Sequence, residues 1–194
     1  MIPSDAQFSS AAPSSGVEAE RLEALRRYGA FGLLRSVVFD DIARLAAFIC
    51  RTPVSMISLV DSNRQWFLAK TGMDACETSR EVSFCAHALV GPELLIVEDT
   101  HLDARFFRNP LVTGEPFVRF YAGAPLLTTD GYALGTLCVV DYVPRTLASE
   151  QREALRSLSH LVMGQLEGSR LKREMRDLKQ SLTEQSLSVR PALK

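Results

Sequence analysis

The sequence predicts an α+β domain: a central antiparallel β-sheet with helices gathered on one side. Three observations lead there. Two pairs of apolar β-rich runs are each joined by a short turn, at Asp61-Ser62-Asn63 and at Asp130-Gly131. Such hairpins make antiparallel neighbours. Runs with helical spacing precede the first pair and follow the second, rather than alternating with strands as in a doubly wound parallel fold. The chain has 194 residues and is 46% hydrophobic, enough for one sizeable core with appendages.

In chain order, residues 1–17 are Ser-, Ala- and Pro-rich and are expected to form a disordered tail. Residues 18–28 read as a helix with Leu22 and Leu25 on one side, broken by Gly29 and Gly32. A second helix is expected over residues 39–51. Phe39, Ile42, Leu45, Ala46 and Ile49 form its buried face. Pro53 stops it, and strands follow at residues 54–60 and 65–70. On the second strand Trp66 and Phe67 point to opposite faces, with core packing the default for the single Trp. Residues 71–82 read as a polar loop.

Ser83 is a helix N-cap for one or two turns over residues 84–90, and residues 94–97 form a short strand ending in Glu98-Asp99. Residues 100–117 are a long crossing segment with some helix, of a length usually reserved for function. Strands follow at residues 118–127 and 132–140 around the Asp130-Gly131 turn. Ser149 opens a last helix reaching about residue 185. On it Ala154, Leu161, Gly168, Met175 and Leu182 recur at seven, with Leu171 and Leu178 at the second seam position. Residues 186–194 are expected to fray. The domain limits are 18–168, with a helical extension over 169–185.

Charge and motif content narrow the function. The 22 Lys+Arg balance 23 Asp+Glu, which excludes a broad basic footprint for nucleic acid. There is no phosphate loop, no G-x-G-x-x-G, no G-x-S-x-G and no H-E-x-x-H. Cys50, Cys76, Cys85 and Cys138 are widely spaced, so no zinc site or disulfide framework is expected and a reducing cytoplasm suits them. No signal peptide and no membrane span are read. Cys85-Ala86-His87 leaves alternatives open: a capped helix with Phe84 and Cys85 turned into the core, a ligand-facing role for one of the pair, or thiol chemistry. Arg105, Arg108 and Arg119, with Asn109 and Tyr121, either line a pocket for a small anionic or polar ligand or are surface charge with an ion pair fixing the loop.

The chain from about residue 18 to 168 resembles the GAF domain, above all the bacterial sensory subgroup found upstream of diguanylate cyclase, histidine kinase or PAS modules. The resemblance rests on ERLEALRRY at 20–28, SLVDSNRQWF at 58–67, VSFCAH at 82–87, NPLVTG at 109–114, RFYAGAPL at 119–126 and LGTLCVVD at 134–141, all in order. It implies terminal helices on one side of the sheet and a cap of loops and short helices on the other, enclosing a ligand pocket. The implied lining is Phe84, Cys85, His87, Asp99, Phe106, Asn109, Arg119, Tyr121, Thr136 and Cys138.

It also implies a non-enzymatic sensor of an unidentified small molecule, with no catalytic or metal-binding residues. Dimerisation is expected through Leu22, Leu25, Leu161, Leu171, Met175, Leu178 and Leu182. A histidine kinase or diguanylate cyclase is the expected partner in trans, since the chain ends after the outgoing helix. The sequence patterns of cyclic-nucleotide-binding and bilin-binding members are not found. Two other readings are a purely structural recruitment module and a thiol enzyme similar to free methionine-(R)-sulfoxide reductase. The latter would use Cys76 and Cys85, but a third cysteine expected near residues 103–110 is absent.

Overall fold

The computed structural model describes residues 15–29 and 37–188. Helices α1 (Ser15–Arg27) and α2 (Val37–Cys50) lead into strands β1 (Val54–Val60), β2 (Arg64–Thr71) and β3 (Glu77–Ser79). The short helix α3 (Phe84–His87) continues as a 3₁₀ turn (Ala88–Val90). Strand β4 (Leu95–Val97), helix α4 (Pro110–Thr113), strands β5 (Phe120–Leu127) and β6 (Ala133–Asp141) and the long helix α5 (Ser149–Ser188) complete the order. The six strands form one sheet in the order β3-β2-β1-β6-β5-β4, and every pairing is antiparallel. The predicted fold class is therefore the observed one.

Both faces of the sheet are covered. Ile57, Leu59, Phe120, Ala122, Leu126 and Val139 pack against α1, α2 and α5. Val54, Met56, Tyr121, Cys138 and Val140 pack beneath α3, the 3₁₀ turn and the crossing segment. This explains why β1 and β6 are buried along their length rather than on alternate residues. It also places Trp66 and Phe67: Trp66 packs against the helix-side core and Phe67 against the cap-side core, so neither is left to solvent alone.

Several boundaries and faces differ from the sequence reading. Helix α1 begins at Ser15, inside the expected tail, while residues 1–14 and Gly32 lie outside the described residues. The buried face of α2 is Phe39, Ile42, Ala43, Ala46 and Cys50. Leu45 is exposed and Ile49 half-buried, because the face is rotated toward Ala43 and Cys50. That helix ends with Arg51 at φ 55°. The Thr52 N–H donates to the Ala47 carbonyl at 3.0 Å and the Arg51 N–H to that of Phe48 at 3.2 Å. This is the left-handed Schellman ending. Strand β3 lies within the stretch expected to be loop. Its pairing with β2 uses backbone groups on a polar edge, so it carries no apolar signal.

Two arginines help to fasten the terminal helices. Arg21 is buried in α1, and its guanidinium donates to the carbonyls of Val60 at 2.8 Å and Ala133 at 3.3 Å. At the other end of α1, Arg173 of α5 donates to the carbonyls of Tyr28 at 3.0 Å and Arg27 at 2.6 Å. These are the carbonyls a helix C-terminus leaves without internal partners. Arg170 lies 5.7 Å from the Tyr28 ring. Helix α5 is thus held to the body as far as Arg173, beyond the predicted boundary at 168. It runs on to Ser188; residues 189–194 lie outside the described residues.

Candidate functional site: the capped face of the sheet

Tyr121 on β5, Thr136 and Cys138 on β6 and Ser58 on β1 share the sheet face opposite the helices, and α3 lays Cys85 onto them. Local sequence explains the placement of α3. The Ser83 hydroxyl accepts the Ala86 N–H at 3.1 Å as the expected N-cap. It also donates to the side-chain carbonyl of Gln65 at 2.5 Å, tying the helix start to β2. With that anchor Phe84 and Cys85 turn inward, while His87 is half-buried at the other side of the turn.

A buried polar cluster results. The Cys85 and Cys138 sulfurs are 3.7 Å apart, and the Cys138 thiol also reaches the Met56 carbonyl at 3.7 Å. The Tyr121 and Thr136 hydroxyls are 3.5 Å apart. Ser58 is close enough to act on the Cys85 sulfur, although its hydroxyl makes no hydrogen bond of normal geometry. Gly123 makes this arrangement feasible, since a Cβ there would sit 2.2 Å from the Tyr121 hydroxyl.

Burial resists ionisation of Cys85. The Cys138 thiol and then the nearby hydroxyls of Ser58, Thr136 and Tyr121 outweigh it and lower that thiol, while burial and its neighbour push Cys138 well up. Burial likewise raises Tyr121 well above an ordinary phenol. Burial lowers the His87 imidazole, helped by the Arg105 charge and opposed by Asp103.

Aromatic side chains fill the space above the cluster. Phe84 stacks on Phe106 at 4.4 Å and on Tyr121 at 5.3 Å, and His87 meets the Phe106 ring edge-on at 4.7 Å. Phe84, Cys85, His87, Phe106, Tyr121, Thr136 and Cys138 are therefore brought together, in contact with one another rather than spread around an open pocket.

The remaining three expected residues serve other ends. Asn109 is the N-cap of α4: its carbonyl oxygen accepts the Leu111 N–H at 2.9 Å and its amide donates to the Val82 carbonyl at 3.1 Å. Arg119 grips Asp99 through both terminal and inner nitrogens at 2.9–3.1 Å. Those hydrogen bonds hold the Asp99 carboxyl below the usual range. The three arginines do not converge on one anion site. Arg105 pairs with Asp103, Arg119 with Asp99, and Arg108 lies over the Phe107 ring.

Open grooves border this site. One of about 820 Å³ runs past Asp99, Arg145 and Arg152. Another of about 680 Å³ lies among His101, Phe107, Phe117, Arg119 and Tyr142. Among the described residues no three His, Cys, Asp or Glu side chains gather to hold a metal. Cys76 is exposed, and its neighbour is the Lys70 ammonium at 3.5 Å. Sequence reasoning missed Ser58 and Gly123; their signal was the alternation of β1 and β5, which puts both on the capped face.

The expected dimer residues divide. Leu25 is buried in the chain's own core, and Leu22 packs half-buried at its margin. On α5, Leu155, Leu158, Val162 and Leu166 face the sheet. Leu161, Leu171, Met175, Leu178 and Leu182 point away from it and are 47–72% exposed. Among the described residues no helix is long and apolar enough to cross a membrane.

The family model described as "GAF domain" matches residues 35–166. A Pseudomonas aeruginosa protein named a cyclic di-GMP phosphodiesterase is 46% identical over 130 residues. The match covers 66% of this chain and 22% of that protein, so the chain spans about a fifth of the relative's length. The solved GAF domain of an Acinetobacter phosphoenolpyruvate-protein phosphotransferase superposes with a TM-score of 0.57 at 17% identity, covering 80% of this chain and 98% of that one. The free methionine-R-sulfoxide reductase of Neisseria meningitidis gives a TM-score of 0.57 at 16% identity, covering 86% and 99%. At such identities the structural likeness speaks for the fold. The chain belongs to the GAF domain family.

Proposed function

We propose that this chain is a non-enzymatic sensory module of bacterial signal transduction. In this reading it dimerises through α5, takes a small molecule under the cap, and passes the bound state to a cyclic di-GMP-metabolising or histidine kinase partner in trans. The observation that carries the reading is the course of α5. It packs on the sheet through Leu155, Leu158, Val162 and Leu166, then extends past Arg173 with an exposed apolar seam. A helix with one apolar face on its own domain and another left open is suited to relaying a change in that domain to a second helix. The cyclic di-GMP connection rests on the name of the Pseudomonas aeruginosa relative.

One observation favours a second reading, a structural recruitment module: the rings of Phe84, Phe106 and Tyr121 already fill the capped face. Ligand entry then requires α3 and the crossing segment to lift. Native mass spectrometry of the chain after incubation with small molecules from bacterial extract separates the two. Sensing predicts a two-chain species with an added small mass that is released on denaturation. A two-chain species that never gains mass points to recruitment instead.

A further inference from the structure

Cys85 and Cys138 are two free thiols, both buried, with their sulfurs 3.7 Å apart. They come from different layers, Cys85 from α3 in the cap and Cys138 from β6 in the sheet. A disulfide bond is about 2.05 Å long, so roughly 1.6 Å of approach separates contact from bond. Rotation of one side chain and a small settling of a four-residue helix supply that. The other two cysteines lie elsewhere: Cys50 closes α2 on the helix side of the sheet, and Cys76 is exposed beyond β2.

We propose that Cys85 and Cys138 form a dithiol oxidation site, converted by hydroperoxides into a disulfide that staples the cap to the sheet. The Cys85 thiolate attacks the distal oxygen of the peroxide. The O–O bond breaks, and the leaving oxygen takes a proton to depart as an alcohol, or as water from hydrogen peroxide. Cys85 is left as a sulfenic acid. The Cys138 sulfur then attacks the Cys85 sulfur, the S–O bond breaks, and the hydroxyl leaves with the Cys138 proton as water. Two thiols are oxidised and one peroxide is reduced. The Cys138 thiol at 3.7 Å and the surrounding hydroxyls favour the anion at Cys85, as the first step needs. Access comes from local opening of α3, a single turn backed by a further 3₁₀ turn.

The site is independent of whether a ligand binds under the cap, and the pair is distinct from the Cys76–Cys85 pair that the sulfoxide reductase resemblance suggested. Its consequence is mechanical. Once joined, α3 cannot rise from β6, so the capped face is closed until a thiol reductant reopens it.

The test uses the full chain carrying Cys76→Ser, which removes the exposed thiol. Native protein is treated with hydrogen peroxide, its remaining thiols are blocked, and peptides are mapped without reduction. Two of the three remaining thiols should disappear, with the Cys85 and Cys138 peptides joined and both thiols recovered by dithiothreitol. In a Cys76→Ser/Cys138→Ser chain the sulfenic acid at Cys85 has no partner and should be trapped by dimedone. Retention of all three thiols, a link to Cys50, a link that forms only in urea, or no dimedone adduct on Cys85 would each overturn the proposal.

Discussion

Arg21, buried inside α1, holds both carboxylate oxygens of Glu18, through Nε at 2.9 Å and Nη2 at 2.8 Å. Glu18 also receives Arg80, which in turn donates to the Asp61 carbonyl at 2.9 Å. Burial works to raise the Glu18 carboxyl, but Arg21 and Arg80 outweigh it and hold it at about 2. A carboxyl whose folded pKa is depressed contributes stability above its unfolded pKa of about 4.5 and loses it as the pH falls toward 2. Chemical denaturation between pH 7 and pH 2 should therefore show a loss of stability below pH 4.5 that is smaller in Glu18→Gln. At pH 7 that variant, which leaves the buried Arg21 charge without its counterion, should be less stable by about 2 kcal/mol.

Asn109 joins two loops through one side chain, capping α4 and reaching the Val82 carbonyl beside α3. Asn109→Ala removes both contacts and should cost about 1–2 kcal/mol in urea unfolding. Asn109→Asp keeps the capping oxygen and loses the donor, so its cost should fall below that of the alanine variant.

Phe106 is fully buried and touches Phe84, His87 and the Arg105 guanidinium. Phe106→Ala should destabilise the chain by about 3–5 kcal/mol, read as a lowered midpoint in urea. Phe106→Leu should recover more than half of that loss.

Tyr121 lies over Gly123, two residues along on the same face of β5. Gly123→Ala should displace the phenol from Thr136 and cost about 1–3 kcal/mol, as overpacked sites do. The displacement is measurable as a changed near-ultraviolet circular dichroism signal from tyrosine. The double variant Tyr121→Phe/Gly123→Ala should cost less than the sum of its single changes, because the clash is with the hydroxyl.

The parts of the fold legible in the sequence are those that local chemistry determines. Asp130-Gly131 marked its hairpin because Gly131 adopts a φ of 89° that few other residues accept. Ser83 marked the start of α3 because a cap is read from residues three apart. The heptad spacing marked the outer stripe of α5, whereas Leu155, Leu158, Val162 and Leu166 form a second stripe on the same helix that this spacing does not mark.

Long-range pairing was not legible. Arg21 in an amphipathic helix reads as solvated, and its burial depends on the carbonyls of Val60 and Ala133 arriving beside it. Seven of the ten candidate site residues meet on the capped face. Their packing into a filled face, and the meeting of Cys85 with Cys138 across 53 positions, depend on the three-dimensional register of α3 against β6. Leu25 was misplaced because a leucine on a short helix serves a core or a dimer equally well by spacing alone.

Helix α5 as a contact between two copies of this chain is measured directly by light scattering coupled to size-exclusion chromatography. The intact chain should have a mass of twice 21.5 kDa, and the double variant Leu171→Glu/Leu178→Glu, altered only at exposed positions, should fall to 21.5 kDa with its unfolding midpoint in urea little changed. An intact chain of 21.5 kDa, or a two-chain species that survives both substitutions, would contradict it.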